Sequence, residues 1–253
     1  MDSGARLRSD LQAAMAGGGR GLAAANQLCH ACVDLLDVDG AAISLMHEGA
    51  TRGTFGSSGD LSRRLDEFQF TLGEGPCLDA VAKGEPILVA DLAAIKEQRW
   101  PAFTGALLGV GVRAVFALPV AIGAVPVGAL DLFRHQPGSL HGEQLGGSLH
   151  AAELAALPLL DLMGADLDWS AAGDGESDGD GDGAWSELAS LERVEVYQAT
   201  GMIMAQLGVG PAEALVRLRA HAFAHDQTAS EVAWAVVERR LSFDDAANTE
   251  GSS

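Results

Sequence analysis

Lysine is nearly missing from this chain: Lys83 and Lys96 are the only two in 253 residues. With 16 basic against 35 acidic side chains, the formal net charge is −19. Loose adhesion to nucleic acid or to an anionic membrane draws its strength from many cations that neutralise phosphates. That mode is excluded, so any nucleic acid must be held locally, by a few arginines on a shaped surface. No apolar run reaches the roughly 18 residues a membrane helix needs, and no block of signal-peptide length precedes Gly17-Gly18-Gly19. The expectation is a cytoplasmic protein that does not engage a membrane. The cysteines number three, Cys29, Cys32 and Cys77, and an odd count without a secretion signal points to reduced thiols. A nucleophile elbow, a phosphate loop and a metal triad are all missing, so no catalytic residue, no metal and no enzymatic activity are expected.

What is present has two parts. Residues 1–19 are polar and glycine-rich and read as a flexible tail. Between Leu22 and Leu36 apolar residues recur at helical spacing. Ala41 to Met46 alternates as a half-buried strand does, with Ala50 to Phe55 as its hairpin partner. Leu61 to Phe70 has helical spacing, Gly73-Glu74-Gly75-Pro76 breaks it, and Cys77 to Ala82 reopens a helix with Pro76 in its first turn. A short strand at Ile87 to Val89 precedes a helix over Glu97 to Leu108, in which Pro101 marks a start or a break. Strands follow at Ala114–Ile122 and Val125–Phe133, where Pro119 and Pro126 predict a bulge or a nearby sheet edge. A last helix runs from His141 toward Met163, kinked at Pro158. This order predicts an α+β domain over residues 20–164 with a largely antiparallel sheet flanked by helices.

Residues 165–185 are dominated by aspartate and glycine, without one basic side chain. Such a segment cannot bury enough apolar surface to offset its ordering entropy and reads as a solvated linker. Asp178 to Gly183 copies the opening of a calcium loop, but Ala189 stands where the bidentate glutamate is needed. From 186 to 243 helical patterns return: a seam of Leu188, Leu191 and Val194 continuing to a stop at Gly208, a second helix opened by Gly210-Pro211, and a third opened by the capping box Thr228-Ala229-Ser230-Glu231. They predict an all-α bundle of three short helices, with residues 244–253 as a flexible tail.

The runs Gln198-Ala199-Thr200-Gly201-Met202, Glu213-Ala214-Leu215 with Leu218-Arg219 and Ala222, and Glu231-Val232-Ala233 carry a resemblance. With them, Ser186 to Phe243 resembles the ANTAR domain, a three-helix RNA-binding output module of bacterial regulators. Leu28 to Phe133 resembles a GAF domain, through Asp39-Gly40-Ala41-Ala42-Ile43-Ser44-Leu45, Gly73-Glu74-Gly75-Pro76-Cys77 and Pro86-Ile87-Leu88-Val89-Ala90-Asp91-Leu92. Together they are similar to the GAF–ANTAR regulators of actinobacteria. The resemblance implies a sensor coupled to an antiterminator that acts as a homodimer and stabilises an RNA hairpin overlapping a terminator. Arg193, Gln198, Thr200, Gly201, Arg217, Arg219, Arg239 and Arg240 are the candidate RNA-binding residues, the arginines for their forked donors to phosphate, and Thr200 stands where many members of the family carry lysine. The small ligand of the GAF domain and any cofactor stay unknown. Rival readings are a three-helix DNA-binding regulator and a GAF-type methionine sulfoxide reductase using the thiols.

Several residues admit two readings. Ala199, Gly201 and Ala205 suit either close approach of a partner or packing within the bundle. Arg217 and Arg219, two apart, cannot share a helix face. His221 and His225 have a metal-compatible spacing without a third ligand. Cys29 and Cys32 lack the second pair that zinc requires. Cys77, at a helix N-terminus that favours a thiolate, is the redox candidate, with packing as its alternative. Since acidic residues lie within reach of the bundle, we expect the linker or the sensor to compete for its arginines.

Overall fold

The computed structural model describes residues 3–47, 50–161 and 193–244. The linker, the seam residues Leu188 and Leu191, and the tail beyond Asp244 lie outside the described residues. Among those described, no helix is long and apolar enough to cross a membrane.

Strands β1 (Gly40–His47), β2 (Ala50–Ser57), β3 (Ile87–Val89), β4 (Ala114–Ile122) and β5 (Val125–Arg134) form one sheet in the order β2-β1-β5-β4-β3. Every pairing is antiparallel. The two prolines sit where the ladder tolerates them. β3 reaches only to Ala117, leaving Pro119 beyond its end, and a bulge at Val120/Ala121 lies beside Pro126.

The pleat sends alternate residues to two cores. On one face Ile43, Phe116, Leu118, Leu130 and Leu132 pack against Leu28, Cys29, Cys32 and Leu36 of α2 (Gly21–Leu36) and Ala151 of α6 (Gly142–Leu154). On the other, Val115, Ala117 and Phe133 pack with Leu65 of α3 (Asp60–Leu72), Ala80 of α4 (Pro76–Lys83), and Phe103 and Leu107 of α5 (Pro101–Gly109). Helix α5 begins at Pro101 rather than at Glu97, because proline fits the first helical position and the residue before it is pushed out of helical geometry. Helix α6 breaks at Ala155 and resumes over 156–161. Pro158 has no N–H for the carbonyl of Leu154 and its ring crowds that carbonyl.

Residues 3–17 correct the expectation of a flexible tail. Ser3–Gly17 forms helix α1, packed on α2 and α6. Its overall polarity concealed an apolar face, Leu7, Leu11, Ala14 and Met15, of which Leu11 is fully buried. The packing is close: a Cβ on Gly147 would lie 2.6 Å from Leu7 Cδ2 and 2.7 Å from Leu36 Cδ2.

The C-terminal bundle is α7 (Val194–Leu207), α8 (Pro211–Ala224) and α9 (Ala229–Val237). Helix α7 ends on Gly208 at φ 65°, a left-handed cap that glycine adopts without strain. At α9 both arms of the capping box form: Thr228 Oγ1 accepts from the Glu231 N–H at 3.2 Å, and Glu231 Oε2 accepts from the Thr228 N–H at 2.7 Å. The bundle core is built from Val196, Ala199, Ile203, Ala214, Leu218, Ala222, Val232, Ala233 and Val236, and it includes Phe70 of α3. The bundle therefore closes its core with a side chain of the sensor.

Candidate regulatory site between the sensor sheet and the helical bundle

Helix α3 buries Ser62, Asp66, Gln69 and Thr71 as well as Leu65 and Phe70. Four polar side chains on the buried face of one helix require partners, and they find them on both sides. Toward the sheet, Asp131 of β5 accepts from Ser44 Oγ of β1 at 3.3 Å and from Gln69 Nε2 at 3.2 Å. The Gln69 Oε1 accepts from the Cys77 backbone N–H at 2.8 Å, and Thr54 Oγ1 donates to Asp66 Oδ2 at 2.8 Å. Even so, Asp66 Oδ1, Glu67 Oε2 and Asp131 Oδ1 have no hydrogen-bond partner. Burial, reinforced by the neighbouring Asp66 carboxylate, pushes the Asp131 carboxyl up to about 7.

Toward the bundle the partner is Arg193, the residue before α7. One guanidinium nitrogen donates to Asp66 Oδ2 at 2.9 Å, the other bonds Glu67 Oε1, and Cζ lies 4.3 Å from the centroid of the Phe70 ring. Arg193 is 7% exposed, and its Nε has no partner. Arg219 of α8 lies 4.5 Å from the same ring; burial and the nearby Arg193 lower its proton affinity. The α9 end is fixed too: Ala229 N–H donates to Thr71 Oγ1 at 2.9 Å and Ser230 Oγ to Glu67 Oε1 at 3.3 Å. Burial raises the Glu67 carboxyl, opposed by Arg193. Alongside runs a cavity of about 480 Å³ whose lining includes Phe68, Leu72, Pro101 and Ala106 of the sensor and Phe223 of the bundle.

The residues assigned to RNA divide accordingly. Arg193 is not displayed, contrary to expectation, because the α3 carboxylates and Phe70 enclose it, and Arg219 is largely covered. On the outside, Gln198 and Gly201 are exposed on α7, and the Thr200 hydroxyl is turned back onto the Val196 carbonyl at 2.6 Å. Arg217 and Arg240 are exposed and paired with Glu213 and Glu238. Arg239, at φ 59°, flanks a groove with Met202, Ala205 and Gln206. Arg217 and Arg219 do face different ways. Of the small residues, Ala199 packs inside the bundle, while Gly201 and Ala205 are exposed. His221 and His225 stack on each other at 4.0 Å, and no group of three metal-ligating side chains occurs among the described residues.

The redox candidate is corrected. Cys77 is fully buried against Met46, and burial together with Asp131 and Asp66 raises its thiol well above the ordinary range. Its helix N-terminus is outweighed. Cys29 and Cys32 pack on the opposite face of the sheet, so the strands separate them from Cys77.

Sequence reading missed Asp66, Glu67, Gln69 and Asp131. The one available signal was Asp131 itself, an acid between Leu130 and Leu132 in an otherwise apolar strand.

A family profile for the GAF domain matches residues 23–157, and one for the ANTAR domain matches residues 187–237. Among solved structures, the GAF domain from an Acinetobacter phosphoenolpyruvate-protein phosphotransferase is similar, with TM-score 0.53 at 12% identity over 66% of this chain and 99% of that one. The GAF domain of a phosphoenolpyruvate-protein phosphotransferase from Coxiella burnetii gives 0.48 at 13% identity, over 66% and 96% of the two chains. A free methionine-R-sulfoxide reductase from Neisseria meningitidis gives 0.44 at 17%, over 62% and 89%. At such identities the first likeness speaks for the fold alone. No curated protein sequence matches the chain.

Proposed function

Because this chain belongs to the GAF–ANTAR regulators, whose GAF half senses a signal and whose ANTAR half binds RNA, we propose that it binds hairpins overlapping transcription terminators and so controls antitermination. The exposed side of the bundle supplies the contacts. Gln198 and Gly201 offer a flat stretch of α7 for close approach, and Arg217, Arg239 and Arg240 supply guanidiniums suited to phosphate. The observation that carries this reading is the division of the arginines: three stand in solvent, while Arg193 and Arg219 lie against α3 of the sensor. A chain at net charge −19 can hold a polyanion only where such groups are concentrated. Release of the bundle would add two more. The active species is a homodimer. The segregated, protonated thiols favour a regulator over a thiol enzyme.

The test is a fluorescence-anisotropy titration of the full chain against a labelled RNA hairpin and against duplex DNA of the same sequence, at several salt concentrations. Saturable hairpin binding that outruns duplex binding and weakens with salt is expected. Equal affinity for both would favour the DNA-binding reading, and no binding to either would end the proposal.

A further inference from the structure

The recess around Asp66, Glu67 and Phe70 is occupied by a guanidinium that belongs to the other domain. Asp66 and Glu67 meet two nitrogens of Arg193 as a fork, and the Phe70 ring lies beneath at 4.3 Å. Two carboxylates and an aromatic face recognise a flat, delocalised cation better than a compact ammonium. They are also poorly suited to a metal ion, for which no ligand cluster exists among the described residues.

The fit of Arg193 is incomplete on both sides. Its Nε has no acceptor, while Asp66 Oδ1 and Glu67 Oε2 in the same recess have no donor, and neither does Asp131 Oδ1 behind them. Asp66 and Asp131 are 1% and 6% exposed, so water does not make up the difference freely. A side chain tethered through its Nε cannot turn to satisfy these groups. A free guanidinium has the same donors without the tether and can turn to reach them.

We propose that this recess is a receptor for a small organic cation of the guanidinium class, and that Arg193 is its built-in competitor. Binding of the free cation expels Arg193. The contacts that remain, Ala229 to Thr71, Ser230 to Glu67, Arg219 on Phe70 and the packing of Phe70 in the bundle core, then lose their common anchor and the bundle leaves α3. The cation thus acts as the signal, and Arg193 converts its binding into domain release. This deepens the proposed function by naming the input, and it rests on that reading only for the consequence that RNA is bound.

Methylguanidinium chloride is the probe, with sodium chloride at equal ionic strength as control. Calorimetry on the full-length wild type and on R193A, with folding verified by circular dichroism, reads binding; small-angle scattering reads domain release; hairpin anisotropy is recorded in the same titrations. The expected result is saturable binding to both proteins, tighter to R193A by roughly tenfold because a tethered competitor is gone. The wild type should expand with the cation to the radius that R193A has without it, and D66N should lose the binding. Absence of binding to folded R193A, or a wild-type radius that moves no further than in sodium chloride, overturns the proposal. If R193A fails to fold, the wild-type scattering titration decides alone. Hairpin binding without any cation effect would sink the receptor and leave the RNA reading standing. Cation-driven expansion without hairpin binding would do the reverse.

Discussion

Asp131 provides a direct check on the energetics of the buried polar cluster. Its carboxyl is shifted from an ordinary 3.8 to about 7, chiefly by burial and secondly by Asp66. Below about pH 4 both folded and unfolded chains hold the proton. Between there and about pH 7 the unfolded chain ionises while the folded chain retains it, so stability falls as pH rises; above that range the loss is complete. The rise from 3.8 to about 7 corresponds to a loss of about 4 kcal/mol. Replacement by asparagine removes the ionisation and keeps an amide oxygen for the Ser44 and Gln69 donors. The difference in stability between D131N and the wild type should therefore move steadily in favour of D131N from acid to neutral pH and then level off. The groups facing Asp131 do not cancel this. Asp66 is present in both proteins, and burial holds the Cys77 thiol well above the ordinary range, so it stays protonated throughout. Any cost of the new amide nitrogen is independent of pH. Urea denaturation followed by circular dichroism at intervals across the range measures the difference. A constant offset between the two proteins, or one that favours the wild type as pH rises, would show that Asp131 is not shifted upward by burial.

Three further outcomes follow from the packing. L11A should cost about 3 kcal/mol in urea unfolding, since a fully buried leucine leaves a cavity; a mobile tail would register no loss. T228A should destabilise the bundle by about 1 kcal/mol through loss of the capping box, read as increased amide exchange at the start of α9, and unchanged exchange there would count against it. All three cysteines should resist iodoacetamide in the native chain and react on unfolding; rapid modification of Cys77 would restore the redox reading.

The legible parts of the fold were those in which local chemistry and apolar period agree. The β1–β2 hairpin, the proline-opened helices at Pro76 and Pro211 and the capping box at Thr228 are of this kind. Helix α1 was hidden because its few apolar residues, spaced by about one turn, lie within a polar and glycine-flanked stretch. The candidate site was hidden for a different reason. Apolar periodicity assigns polar residues to solvent, yet on α3 Asp66 and Gln69 face inward because their partners arrive from β5 and from Arg193. The Asp66–Arg193 pair spans 127 positions, and no local pattern can announce it. Thus the arginines of the bundle were recognisable as a set, while their division between solvent and sensor required the tertiary structure.

In the proposed function the sensor holds Arg193 and Arg219 back from the RNA. Hairpin affinity of full-length E67Q measures this most directly, since it removes one carboxylate from Arg193 without altering the bundle; E85Q, a charge change at an exposed site, controls for net charge. Tighter hairpin binding is expected of E67Q than of E85Q. Equal affinity, or weaker binding by E67Q, would contradict it.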